Sequence, residues 1–196
     1  PYIEQSIMAS SAGRRVTVVV RGVARDYFDV VALEGLVEAG HLESIFAGDV
    51  LLGTALCGQL GAYGIGTEID LYALNRKQIS TLLPIGGISR LTTHLGGAIN
   101  GNNEISSTLA IAEIERVQRL LNYTGRVSAL AIRIGEGEDA KRIAQSIENI
   151  VGEEFRCVTR EEKNASINAI LRMEKYAIML IGALIILVAT FSIVGA

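Results

Sequence analysis

The last stretch of the chain, Tyr176 to Ala196 (YAIMLIGALIILVATFSIVGA), contains no charged side chain. As a helix it would run roughly 31 Å at about 1.5 Å per residue, close to the roughly 30 Å hydrocarbon core of a bilayer. Apolar stretches of about 10–14 residues suit buried core helices, whereas this length reads as a membrane span. Lys175 and Tyr176 stand at its entrance, where a snorkelling cation and an interfacial ring belong. The sequence starts at Pro1 and stops at or within the span, so it reads as a piece of a longer chain.

All formal charges therefore lie ahead of Tyr176. The 196 residues are 49% hydrophobic and 20% charged, with a mean hydropathy of +0.37. That apolar content is enough for a packed core and excludes intrinsic disorder. A net charge of −3 argues against a nucleic-acid partner held by general electrostatics.

Periodicity orders the region before the span. Arg14 to Val23 (RRVTVVVRGV) is a β-branched run and reads as a strand, with Gly22 as a turn or bulge. Tyr27 to Val31 reads as a second short strand, and Leu33 to Gly40 as weakly helical. Val50 to Leu52 is an apolar strand closed by Gly53, and Thr54 to Leu60 a short helix. After the Gly61, Gly64 and Gly66 loop, Glu68 to Leu74 alternates with period two, as a half-buried strand does. Ile88 to Ile99 reads as a strand ended by the Asn100-Gly101 turn signal, and Glu104 to Ala110 as another. Ala112 to Leu121 is an amphipathic helix with Ile114, Val117, Leu120 and Leu121 on one face. Arg126 to Ile134 alternates as a strand. Asp139 to Val151 is a helix with Ile143, Ile147, Ile150 and Val151 facing inward, and Phe155 to Thr159 is a last strand. From Glu161 the helical pattern runs on through Ile167, Ile170, Leu171 and Met173 into the apolar end.

Motifs for chemistry are missing. There is no GxxxxGK[ST], GxSxG, HExxH or CxxC, and the glycines from Gly61 to Gly66 fall in the wrong order for a dinucleotide loop. Gly135-Glu136-Gly137 precedes a helix, but its acid would repel a phosphate. His41 and His94 stand alone, and Asp49 and Asp70 read as turn or face residues. Asn122-Tyr-Thr124 and Asn164-Ala-Ser166 match the glycosylation triplet, which is frequent by chance. Cys57 and Cys157 lack metal-ligand spacing; two buried thiols or one disulfide are both open. No catalytic, cofactor or metal site is expected on this chain. One segment between strands, Asn75 to Gly87, concentrates Arg76, Lys77, Ile79, Leu82, Leu83, Pro84 and Ile85. It is either a projecting loop that offers apolar residues to a partner or a loop folded back onto the core.

Four stretches, in this order, carry a resemblance: RRVTVVVRGV, DVLLGTALCGQLGAYGIGTEIDLYAL, STLAIAEIERVQRLL and MEKYAIMLIGALIILVATFSIVGA. Together they resemble lipoprotein-releasing ABC permeases of the LolC/LolE type, within the FtsX-like and MacB-like superfamily. The resemblance rests on Arg21-Gly22, on Leu51 through Leu71, on Gln118 to Leu121, on Glu174-Lys175 and on Ile186 to Ile193. Ser192 stands where the family has Asn.

The resemblance implies an α+β, MacB-like extracytoplasmic domain that continues through a stalk helix into a transmembrane helix. Residues 1–71 and 126–160 would form a mixed α/β lobe, and 72–125 an inserted β-rich lobe. Residues 161–175 would be the stalk and 176–196 the span. It also implies ATP and Mg on a separate cytoplasmic ABC ATPase, a second permease protomer, a lipoprotein cargo and a periplasmic lipoprotein carrier at the inner membrane. The carrier-catching hairpin of such permeases corresponds in place to the 75–87 loop, which here is short and aliphatic. Coupling would pass through Ile167, Ile170, Arg172, Glu174 and Lys175. The alternatives are a same-fold permease that exports a small molecule or peptide or activates a cell-wall hydrolase in division, and a membrane-anchored enzyme or sensor.

Overall fold

A computed structural model describes residues 1–75, 87–152, 154–163, 173, 175–176 and 178–183. The chain forms two compact units, Pro1–Arg133 and Ile134–Ala196.

The first unit is built on one seven-stranded sheet. Strands β1 (Tyr2–Ser11) and β2 (Arg14–Val23) form a hairpin around Ala12-Gly13. A helical turn α1 (Tyr27–Val30), a 3-10 turn (Glu34–Leu36), β3 (Val37–Gly40) and a second 3-10 turn (Leu42–Ala47) lead to β4 (Val50–Gly53) and α2 (Thr54–Leu60). A long antiparallel ribbon follows, β5 (Glu68–Asn75) with β6 (Gly87–Ile99), then α3 (Asn103–Thr108), β7 (Leu109–Glu113) and α4 (Ile114–Leu121). The pairings β6–β4–β7–β2–β1–β5 return to β6 and so form a ring, with β3 alongside β6.

The ring has an internal two-fold pattern. A hairpin, a crossover and a strand–helix unit occur twice, as β1, β2, β4, α2 and as β5, β6, β7, α4. Each half lends its second strand to the other: β2 runs parallel to β7, and β6 parallel to β4. The two halves meet in antiparallel pairs, Leu51 against Ile111 and Ala9 against Leu71.

Both faces of the central strands are covered, which explains their unbroken apolar runs. Leu52, Ala110 and Ala112 join Val18, Val20, Leu56, Leu60, Ile69, Val117 and Leu120 in one core. Leu51, Leu109 and Ile111 face a second one with Val23, Tyr27, Ile45 and Ile99.

Several local readings of the sequence are overturned. Tyr27–Val30 is helical: a strand would send neighbouring side chains to opposite faces, but the Tyr27 and Phe28 rings meet edge-on at 6.2 Å. Residues 33–40 hold a 3-10 turn and then strand β3, not a helix. Residues 103–108 are helical because the Asn102 side chain accepts the Ile105 N–H at 2.9 Å, so the strand starts only at Leu109. Arg126–Ile134 is not a strand. It touches β1 through one bridge, Tyr2 to Ala129, and the Ser128 hydroxyl takes the Glu4 N–H in place of a ladder partner. Gly22 is neither turn nor bulge but lies within β2. A Cβ there would sit 2.7 Å from Ile3 Cγ2 and 2.8 Å from Val117 Cβ, so the missing side chain lets α4 pack close to the sheet. Strands β5, β6 and β7 share the sheet of β1 and β2.

In the second unit, α5 (Ala140–Val151) is capped by Asp139, whose carboxylate accepts the Lys141 and Arg142 N–H groups. Ile143 and Ile147 are half-buried, but Ile150 is 83% exposed and Val151 is exposed too, contrary to the inward face expected of them. Residues 155–159 are not a strand: Glu148 takes the Cys157 N–H at 2.7 Å, and Thr159 ends the segment as a helix cap. Thr159 and Glu162 exchange bonds, each accepting the other's backbone N–H, in a reciprocal capping box that opens α6 (Arg160–Lys163). Among the described residues no helix is long and apolar enough to cross a membrane.

Candidate partner-binding ribbon and the cavity beside it

In sequence the candidate loop joins β5 to β6. Cross-strand pairs run from Glu68–His94 to Asn75–Gly87. The inner half of this ribbon is core: Ile69 and Leu71 are fully buried. Further out the ribbon leaves the core, and the cross-strand pair Leu74–Ile88 is 77% and 66% exposed. The loop residues Arg76, Lys77, Ile79, Leu82, Leu83, Pro84 and Ile85 lie outside the described residues.

Polar pairs fix the ribbon midway. Asp70 accepts from Arg90 Nε at 2.9 Å and Nη2 at 2.7 Å, and from the Thr92 hydroxyl at 2.7 Å. Tyr72 donates to the same carboxylate at 3.3 Å. The bonds from Arg90 come first in holding the Asp70 carboxyl below its ordinary pKa, and Asp70 in turn raises Arg90. Sequence reading took Asp70 for a face residue; its partners stand 20 and 22 residues away, and only the register of the ribbon brings them together.

Beside the middle of the ribbon a cavity of about 460 Å³ opens between Phe46–Gly48 at the end of the second 3-10 turn, Ser89–Leu91 of β6 and Glu113–Leu120 of β7 and α4. The sequence did not bring these residues together, because three distant segments contribute them. Elsewhere in the first unit, Glu4 holds Arg21, which also reaches the Tyr27 hydroxyl at 3.3 Å. Burial is the largest influence on Arg21 and lowers its pKa, but the attraction of Tyr27 and Glu4 outweighs it, and the net shift is upward. Burial pushes the Cys57 thiol up. Among the described residues no group of three or more His, Cys, Asp or Glu converges to hold a metal. Cys57 and Cys157 are both free thiols, Cys57 buried and Cys157 half-buried.

Of the expected stalk residues, Lys175 is helical and exposed; Ile167, Ile170, Arg172 and Glu174 lie outside the described residues. Ile178, Met179, Leu180 and Ile181 are helical and each more than half exposed, so consecutive apolar side chains point out on every side of that turn. The rest of the expected span, 184–196, also lies outside the described residues.

No family model matches the chain, and no curated protein matches it. A solved structure does: the extracellular domain of YknZ, a noncanonic ABC-type transporter from Gram-positive bacteria. The two align with a TM-score of 0.54 over 81% of this chain and 79% of that one, at 11% identity. The likeness is one of fold. The mixed α/β architecture described above resembles that of the YknZ extracellular domain.

Proposed function

We propose that this chain is the extracytoplasmic part of an ABC transporter permease, and that ATP is bound and hydrolysed on a separate cytoplasmic subunit. The observation that carries this reading is the fold shared with the YknZ extracellular domain. Two features of the second unit support it. The Thr159–Glu162 capping box starts a helix at the place where a stalk would leave the domain. The apolar side chains from Ile178 to Ile181 are exposed all round, as suits a helix whose solvent is lipid.

The finer reading is release of lipoproteins from the inner membrane toward a periplasmic carrier, by two permease protomers working together. Its support is the ordered resemblance of four sequence stretches to the LolC/LolE permeases. In this reading the 76–85 loop, which joins β5 to β6, is offered to the carrier. The segment from Glu161 to Lys175 transmits ATPase closure, and neither a cofactor nor nucleic acid binds the chain.

Two measurements test it. The full-length protein, purified from membranes in mild detergent, should bring down an ABC ATPase together with a lipid-modified protein. Recovery of the ATPase with a cell-wall hydrolase or an export adaptor instead would favour the alternative transport roles, and recovery of no ATPase would refute the permease reading. A flexible Gly/Ser insertion after Arg172 should abolish lipoprotein release and leave ATP hydrolysis running; release at the original rate would refute coupling through the stalk.

A further inference from the structure

We propose that the cavity beside the middle of the ribbon binds a small organic oxyanion, a phosphate or carboxylate head carried on an apolar stem. The inference does not depend on the permease reading.

Three guanidiniums, Arg90, Arg116 and Arg119, line the cavity against one carboxylate, Glu113. Arg90 is committed to both oxygens of Asp70. Arg116 and Arg119 differ: among the described residues neither has a carboxylate at ion-pair distance. They stand three apart on α4, which brings side chains onto one face with Cβ atoms about 5–6 Å apart. Like charges at that spacing repel, and an anion held between them would remove the repulsion.

The site is also preorganised. Arg116 Nη1 donates to the Gly48 carbonyl at 2.5 Å, and the Thr93 hydroxyl donates to the same oxygen at 2.7 Å. Gly48 has φ +106°, and a Cβ there would collide with the Arg116 guanidinium. Glycine at 48 is thus what allows Arg116 to lie across this backbone. A guanidinium carries five donors, so the bond to Gly48 leaves capacity for a bidentate acceptor.

The remaining lining combines the apolar Phe46, Ala47, Leu91 and Leu120 with Ser89. Phe46 is itself held, with Arg25 at 4.4 Å from its ring centre and Phe28 edge-on at 6.0 Å. About 460 Å³ falls in the range of small-molecule sites, roughly 300–1,000 Å³, and is enough for a head group and a short stem.

The test is equilibrium dialysis of phenyl phosphate against the full chain in nonionic detergent micelles, with micelles alone as the blank. Saturable binding to one site is expected. Arg119→Gln, at an exposed position that leaves the core untouched, should weaken binding about tenfold, the loss of a charge-assisted contact. Arg142→Gln, on α5, should bind as the unaltered chain does. Inorganic phosphate should compete at least about fivefold less well than phenyl phosphate, because it gains nothing from the apolar wall. Non-saturable uptake, equal loss in the two variants, or equal competition by inorganic phosphate would each overturn the proposal.

Discussion

Replacing Gly22 by alanine tests the close contact between α4 and the sheet. The added methyl carbon would stand 2.7 Å from Ile3 Cγ2, 2.8 Å from Val117 Cβ and 3.1 Å from Ile114 Cα. Carbon atoms prefer about 3.5–4.0 Å. Two of these neighbours are tied to the α4 backbone and cannot rotate away. The third belongs to a β-branched side chain that is only 3% exposed, so its rotamer is confined too. Overpacking of this kind costs about 1–3 kcal/mol, and loss of glycine's extra unfolded freedom returns about 0.5–1. The net expectation is a destabilisation centred on about 1 kcal/mol, within about 0–2.5. Urea unfolding of the full chain in nonionic detergent, followed by far-ultraviolet circular dichroism, should show a lower midpoint at unchanged slope. A double-mutant cycle sharpens the test. Ile3→Ala alone should cost about 2–5 kcal/mol, but in the Gly22→Ala chain it opens space for the new methyl, and its cost should shrink by about 1 kcal/mol. A stabilised Gly22→Ala chain, or strict additivity in the cycle, would refute the packing argument.

Two further outcomes follow from named bonds. The Asp70 carboxyl has a folded pKa below its unfolded value, so its contribution is fully present above about pH 4 and is lost as pH falls through the folded pKa. Asp70→Asn should therefore flatten the acid limb of the stability–pH curve and leave its neutral region with the same slope. The effect is small, because Arg90 is exposed and solvent screens the pair; an unchanged acid limb would show that the pair does not act in solution. Asn102→Ala removes the cap of α3 and should lower stability by about 1 kcal/mol, read as a shift in the urea midpoint, whereas Asn102→Asp should retain most of it.

The sequence revealed most where periodicity and burial agree. Val50–Leu52, Glu68–Leu74 and Ile88–Ile99 read as strands and are strands, and the apolar stripe of Val117, Leu120 and Leu121 marks a helix face that is buried. It misled where a single side chain decides the backbone. Asn102 turned an expected strand into a helix, and Ser128 gave Glu4 a partner that only looks like a sheet from the alternation of Arg126–Ile134. Distant pairings were invisible for a different reason. The contacts of Arg116 with Gly48, and of Asp70 with Arg90 and Thr92, depend on register and topology, which no local window contains.

The exchange of β2 and β6 between the two halves has a consequence for how this domain can be assembled. A chain of two side-by-side repeats could be cut between them and leave each piece with its own core. Here the strand parallel to β4 comes from the ribbon, and the strand parallel to β7 comes from the first hairpin. Each half alone would leave its strand–helix unit without its parallel partner, so the two halves are interlocked in one sheet.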